Sequence, residues 1–244
     1  MFSFLKKKYT LTDVIPNGYT DIHNHLLPGI DDGSETVEQT SALVNSMKSL
    51  GISNCISTPH TFSGCWDNTP ESIKNAFTIA QSTNENSSFI KGFASEYMLD
   101  NSLVESASNQ SLLCLSDSNL LVELSYLNAP YELYELLFEL KLKGYQIILA
   151  HPERYKYFFA DFRNFEKLKD FDIDFQLNLL SLTGYYGPDV LKMSLKLMDA
   201  GMYSFTGTDI HHSRHIKALQ TQNIMYKNET LLTDLLGQNN LFSK

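Results

Sequence analysis

Short apolar runs rich in β-branched or aromatic residues alternate with longer segments of helical spacing, and this alternation is the strongest constraint the chain places on its own fold. Seven strands are predicted, near 18–22, 53–58, 89–95, 120–124, 146–150, 174–179 and 203–207. In 35–50, Val37, Leu43, Val44, Met47 and Leu50 can share one buried helical stripe, and in 131–143 Leu133, Leu136, Leu137 and Leu140 can do the same. Gly51 and Gly144 follow these segments as helix stops. A weaker helix follows Pro70, another spans 188–200, and the tail from 214 to 238 reads as a broken helical ending. Repeated βα units point to a closed or nearly closed barrel, with a doubly wound open sheet as the alternative. No Pro/Gly/Ser-rich linker or charge block divides the 244 residues, so a single domain over 1–244 is expected.

Charge narrows the function. The formal net charge is -9, and the arginines are Arg154, Arg163 and Arg214, so the basic field of a duplex-binding protein is missing and no nucleic-acid partner is expected. An anionic substrate stays compatible, because bound divalent cations reverse the field locally. The opening MFSFLKKKYT places its apolar residues before its lysines, the wrong order for a secretory signal, and no run approaches the roughly 20 apolar residues of a membrane span. Cys55, Cys65 and Cys114 are odd in number and show no CxxC spacing. A reducing, cytoplasmic setting without membrane insertion is the expectation, and the lysines at 6–8 read as a solvated segment that could at most approach anionic lipid.

The informative feature is where the polar residues fall. DIHNHLLPGIDDG, residues 21–33, crowds imidazoles and carboxylates directly after the first strand. At or just after other strand ends stand His60 in STPH, Glu96 in ASEY, Glu123 in VELS, His151 and Arg154 in AHPER, and Asp209 with His211 in TDIHH. In a parallel barrel those ends share one face. Taken singly, a His-x-His pair is more often a surface pair than a ligand pair, and a lone strand-end carboxylate is usually solvated. Together they are harder to dismiss. Glu96 and Glu123, flanked by apolar residues, would be costly in a barrel mouth unless cations compensate them. His23 and His25 lie two apart on one side of an extended strand and can reach the same ion. Imidazole mixed with carboxylate and no thiolate suits Zn, Mn, Fe or Co in an open, catalytic site.

Other phosphatase and hydrolase chemistries fail on spacing. A cysteine phosphatase needs an arginine six positions after its thiolate, where this chain has Thr61, Glu71 and Leu120. Neither a GxSxG elbow nor a GxxxxGK[ST] loop occurs. The cysteines are therefore read as small core or surface residues.

The ordered set HxH, DDG, TPH, E, E, HPER and DxH resembles the PHP (polymerase and histidinol phosphatase) metallophosphoesterase superfamily. More closely, DIHNHLLPGIDDG, STPH, LVELS, ILAHPER and GTDIHH resemble its capsule-associated, metal-dependent bacterial protein-tyrosine phosphatases of the CpsB/CapC/YwqE type, over about residues 19–216. The resemblance implies an α/β fold, a distorted seven-stranded (β/α)7 barrel of TIM-like form, holding three divalent transition-metal ions, with Mn the first choice and Fe, Zn or Co also compatible. It implies His23, His25, Glu96 and Asp209 around the first ion. The second takes His60, His211 and an acid of DDG, Asp32 in preference to Asp31. The third takes Glu96 as a bridge, with Glu123 and His151. Arg154 corresponds to a phosphate-binding arginine, its planar fork matching two phosphoryl oxygens. The alternative for it is a rim ion pair with Glu153. Arg214 lies near a second phosphate-binding arginine of the pattern, in a loop shorter than usual. His212 and His215 are open between lining the pocket and standing in a solvated loop. Tyr185 and Tyr186 in NLLSLTGYYG either border the substrate or pack.

The function so implied is hydrolysis of phosphotyrosine on protein, in which the ions hold the phosphate and activate the water while Arg154 stabilises charge on the phosphoryl oxygens. His211 is the side chain available for general-acid help. The implied substrate is the tyrosine-rich tail of a membrane tyrosine kinase controlling capsule or exopolysaccharide synthesis. The competing readings are a small-molecule phosphatase, such as one for histidinol phosphate, and a noncatalytic metal-dependent binding protein of the export machinery. The oligomeric state is left open.

Overall fold

The structure is a computed structural model that describes residues 8–243, so Lys6 and Lys7 of the basic run lie outside the described residues. Its strands are β1 (Thr20–Asp21), β2 (Asn54–Ser57), β3 (His60–Thr61), β4 (Ile90–Phe93), β5 (Glu96–Met98), β6 (Asn119–Glu123), β7 (Gln146–Ala150), β8 (Asp174–Asn178) and β9 (Phe205–Gly207). Every pairing between them is parallel. The helices are α1 (Val37–Ser49), α2 (Pro70–Ala80), α3 (Asn84–Phe89), α4 (Asn101–Asn109), α5 (Leu133–Leu142), α6 (Arg163–Asp170), α7 (Pro188–Asp199), α8 (Ser213–Thr221) and α9 (Glu229–Gln238). The fold is α/β with a parallel sheet, as the alternation of runs predicts.

Each predicted strand region carries a strand, yet the ladders form two sheets, β1-β2-β4 and β3-β5-β6-β7-β8-β9, rather than one closed seven-stranded sheet. The reason is local. Two of the seven stretches end at a break, one at Thr58–Pro59 and one at Ala94–Ser95, and each is followed by a further short strand, β3 or β5, that the sequence did not predict. Pro59 has no N–H to give a ladder. Instead its carbonyl accepts from the Glu96 backbone at 3.0 Å and from the Ser95 hydroxyl at 2.8 Å, which aligns the two breaks side by side.

Alternation along the strands separates two apolar layers. Leu121 and Ile148 join Ile22, Ile56, Ala94, Ala150 and Phe205 in an inner cluster, closed from below by Phe242 against Phe205. Leu120, Val122, Ile147 and Leu149 face the helices in the larger cluster. The predicted α5 stripe is buried in full, and in α1 Leu43, Val44 and Met47 are buried while Val37 is half-buried. Gly51 and Gly144 end these helices at φ 96 and 91, conformations that a side chain would resist. The tail forms α8 and α9, a broken helical ending as predicted. The short helices α3, α4 and α6 were not predicted. Cys55 is buried, Cys65 exposed and Cys114 between, all free thiols in the roles expected of them. No helix among the described residues is long and apolar enough to cross a membrane.

Side chains span the gap between β1 and β9. Asn239, fully buried, donates to the carbonyls of Thr20 at 2.9 Å and Thr206 at 2.8 Å, and accepts from the Thr206 backbone at 3.0 Å. Above it, buried Asp21 accepts from the Thr208 N–H at 2.9 Å and its hydroxyl at 2.7 Å. A single parallel bridge, Asn24 to Ile210, completes the seam. Replacing Asn239 with alanine strands backbone groups away from water, at about 1–3 kcal/mol for each unmet partner. Asn239→Ala should therefore lower stability by about 3 kcal/mol in urea unfolding, and an unchanged midpoint would show that the seam holds without it.

Candidate metal centre

The C-terminal ends of the strands deliver the polar residues to one place. His23 and His25 follow β1, Glu123 ends β6, His151 follows β7 and Asp209 follows β9. His60 and Glu96 arrive differently from the expectation of strand ends: each opens the short strand after a break, and the two are register partners. His151 and Asp209 adopt left-handed backbone conformations, φ 36 and 52, which turn their side chains out of the strand direction.

The centre of the cluster is Glu96, inaccessible to solvent. Its Oε2 lies 3.2 Å from His23 Nε2, 3.5 Å from His25 Nε2 and 3.0 Å from His60 Nδ1, yet has no hydrogen-bond partner. His60 Nδ1 is likewise buried and without one. Atoms this close that fail to bond one another are aimed at a common point instead. That observation, with an imidazole and carboxylate donor set, fits divalent transition metals. Potential ligand atoms converge in four groups: His25, Asp32, His60 and His211; His23, His25 and Asp209; His23, Glu96 and His151; and His60, Glu96 and Glu123. Glu123 and His151 thus meet through Glu96 rather than in one shared group.

The protonation energetics reflect crowding. For Glu96 and Asp209, burial opposes charge, but the surrounding imidazoles outweigh it and hold both carboxyls well below their usual range. Burial and His25 disfavour charge on His60, whereas Glu96 and Glu123 push its pKa up to about 10. His211 is the largest influence on Asp32, whose pKa falls to about 2. These groups neutralise one another when no cation is present.

An outer layer orients the imidazoles. Asp31 Oδ2 meets His25 Nδ1 at 2.7 Å, Gln176 Oε1 meets His23 Nδ1 at 2.8 Å, and the Asp209 carbonyl meets His211 Nδ1 at 3.0 Å. Each leaves Nε2 free for the cluster. The two acids of DDG therefore divide: Asp31 supports His25, while Asp32 Oδ1 approaches His211 Nε2 at 3.4 Å and His60 Nε2 at 3.6 Å. Gly33 makes this possible, because a Cβ there would sit 2.1 Å from the His25 carbonyl oxygen.

Arg154 stands over a cavity of about 230 Å³ lined by Asp32, His60, His151, Asp209 and His211. Its guanidinium packs on Tyr126, 4.7 Å from the ring centroid, and on Tyr186, at 4.3 Å, and donates to Asp209 Oδ2 at 2.8 Å. The alternative pairing with Glu153 is absent. Glu153 is buried and accepts instead from the hydroxyls of Ser181 at 2.7 Å and Tyr203 at 3.0 Å and from the Asn178 backbone at 3.0 Å. Asn178 in turn donates to Asp209 Oδ2 at 2.9 Å. His212 and His215 do line the cavity, and Tyr185 packs edge-on against His215. Arg214 is exposed in the first turn of α8 and is not among the lining residues.

Asp21, Glu153, Gln176, Asn178 and Thr208 were not singled out as functional from the sequence, and Asp31 was considered only as the alternative ligand to Asp32. One signal was available: the tetrapeptide TDIH occurs twice, at 20–23 and 208–211, and the two copies lie against each other across the seam.

Fold and cluster together define a parallel α/β protein with a multi-ligand cation centre and an arginine-walled cavity at one end of its sheet. The family model described as "Capsular polysaccharide synthesis, CpsB/CapC" matches residues 19–237, and the chain belongs to that family. It is 29% identical over 198 residues to CapC of Staphylococcus aureus, covering 78% of this chain and 76% of that one. Similarity to the tyrosine-protein phosphatase YwqE of Bacillus subtilis is 27% identity over 214 residues, 84% of this chain and 82% of that one. The fold matches a chain from crystal structures of YwqE from Bacillus subtilis and CpsB from Streptococcus pneumoniae, described as metal-dependent tyrosine phosphatases. That match has a TM-score of 0.75 at 24% identity, over 91% of this chain and 90% of the other.

Gly33→Ala should cost about 1–3 kcal/mol, the range for forced overpacking, and should weaken divalent-metal retention while leaving far-UV circular dichroism unchanged. Wild-type stability and metal content in this variant would show that the loop can retreat from His25.

Proposed function

We propose that this protein is a metal-dependent phosphomonoesterase that hydrolyses phosphotyrosine on protein, within one domain whose two sheets act as a distorted barrel of seven staves. The observation that carries the reading is the buried, unbonded Glu96 carboxylate oxygen at the meeting point of imidazoles, next to a cavity walled by Arg154. Three divalent ions, Mn by preference and Fe, Zn or Co otherwise, would be held by this set. His23, His25, Glu96 and Asp209 hold the first; Asp32, His60 and His211 the second; Glu96, Glu123 and His151 the third. Grouping of Asp32 with His25, His60 and His211 supports Asp32 over Asp31.

Divalent cations bound there supply Lewis acidity towards phosphoryl oxygens and towards the attacking water. The chain's own residues bind and orient. Arg154, beside the rings of Tyr126 and Tyr186 and with one nitrogen given to Asp209, offers its remaining N–H edge to the phosphoryl group and stabilises the charge that gathers on its oxygens. Tyrosinate, with a parent pKa of about 10, leaves without strong general-acid help. The general-acid role expected of His211 conflicts with its place among the ligands, since its Nδ1 meets the Asp209 carbonyl and its Nε2 faces Asp32. The relatives named above support a tyrosine-phosphatase activity, and the family supports a place in capsular polysaccharide synthesis. The substrate on this reading is the tyrosine-rich tail of a membrane tyrosine kinase, met in the cytoplasm.

Metal analysis and phosphotyrosyl-peptide hydrolysis on one purified sample test the reading. Chelation and His25→Ala should each abolish hydrolysis, with activity restored to the chelated wild type by Mn. Bound metal without hydrolysis would indicate a noncatalytic binding protein, and a thousandfold preference for histidinol phosphate would indicate a small-molecule phosphatase. Arg154→Lys keeps the charge but loses the fork, and kcat should fall about a hundredfold, the loss typical of one transition-state donor.

A further inference from the structure

The loop between β6 and α5 exposes Tyr126, Leu127 and Tyr131 at 45%, 88% and 102%. A connecting loop has no folding reason to hold so much apolar surface in water, and clustering of this kind marks a contact surface. Tyr126 belongs to the wall of the Arg154 cavity, and the residue before it, Ser125, lines a second cavity of about 360 Å³. Consecutive Cα atoms are about 3.8 Å apart, so neighbouring residues of one loop line the two cavities. Beneath them Met98, in the second cavity, is the register partner of Glu123 in the acid cluster.

The second cavity has Phe62, Met98, Pro130 and Tyr131 on its walls and Asp100 and Glu132 beside them, with no lysine or arginine among its described lining residues. We propose that it receives the neutral aromatic or aliphatic side chain one or two residues from a phosphotyrosine in a polypeptide substrate, and that Asp100 and Glu132 disfavour an acidic or phosphorylated neighbour. The proposal rests on the phosphotyrosine reading above. The spacing suits it, since alternate side chains of an extended peptide share a face roughly 7 Å apart. Apolar walls take the body of the neighbouring side chain, and like charge repels a carboxylate or a second phosphate.

The test uses the metal-loaded enzyme with p-nitrophenyl phosphate and three phosphotyrosyl peptides carrying Phe, Asp or phosphotyrosine two positions from the scissile residue. The Phe peptide should exceed the other two in kcat/KM by about tenfold, the scale of one apolar pocket contact. Tyr131→Ser should erase the preference, and Glu132→Lys should turn it towards the acidic peptides. Turnover of the small ester should stay at wild-type level in both variants. Equal kcat/KM for the three peptides, or a preference that neither substitution moves, overturns the proposal while ester turnover keeps the phosphatase reading standing. Self-association abolished by Tyr131→Ser, without any change in peptide preference, assigns the surface to a second copy of this chain and overturns it as well. Full metal content with no hydrolysis of any substrate overturns the underlying reading.

Discussion

A carboxylate oxygen sealed from water, faced by imidazole nitrogens and bonded to none of them, is the constraint on which the rest of this structure depends. An uncompensated buried carboxylate costs several kcal/mol, and Glu96 is accompanied in the cluster by Asp209 and Glu123, both nearly as inaccessible. Without cations this charge is balanced by Arg154 beside Asp209 and by protons on the imidazoles, which is the direction in which His23, His25 and His60 are all driven. The proposed ions replace those protons. Metal loading is then coupled to proton release, so acid conditions favour the unloaded cluster.

Bringing these groups together requires the backbone to depart from regular strand at several points. Two staves break so that His60 and Glu96 start new strands side by side, and the seam between β1 and β9 relies on Asn239 and Asp21 more than on ladder bonds. His151 and Asp209 hold left-handed conformations that cost about 1–3 kcal/mol each in residues with a side chain. Gly207 allows a close approach: a Cβ there would come within 2.6 Å of both His23 and Gln176. The irregularities lie beside the cluster, while β6 and β7, which supply Glu123 and lead into His151, keep four residues of unbroken register. Regular staves supply stiffness, and the broken ones supply direction.

The same division decides how much was legible in the sequence. β7 was placed to the residue, at 146–150, because Ile147, Ile148, Leu149 and Ala150 form a short apolar run that is buried on both faces. The strands that resume after the breaks at Pro59 and Ser95 were not legible, since β3 and β5 are too short to show a period. The helix α6 escaped because its polar sequence, RNFEKLKD, buries only Phe165 and Leu168, too few positions to reveal a period. Candidate ligands were legible because histidine at successive strand ends has few structural explanations. Their supports were not. Gln176, Asn178 and Asp21 look like ordinary polar positions of half-exposed strands, and only burial shows that each is committed to a specific partner. Arg214, which lies near an arginine of the pattern in sequence, faces solvent because α8 begins at Ser213 and turns the next side chain outward, giving His215 the inward position.

Arg154 shows why such supports bear on chemistry as well as stability. A guanidinium beside a carboxylate would ordinarily settle into a two-pronged pair, but here only one nitrogen reaches Asp209, which also accepts from Asn178. Tyr126 and Tyr186 also sit against the guanidinium, their ring centroids 4.7 and 4.3 Å from its central carbon, so it is held by several partners and keeps its remaining N–H edge for a ligand. A group approaching from that edge must carry several acceptor oxygens and be small enough to sit against the cluster. A phosphoryl group satisfies both requirements, whereas a carboxylate offers two oxygens and leaves the far side of the centre unmatched. Tyr126 and Tyr186 line the same cavity as the arginine, so aromatic surface and free N–H groups come to it through one set of contacts.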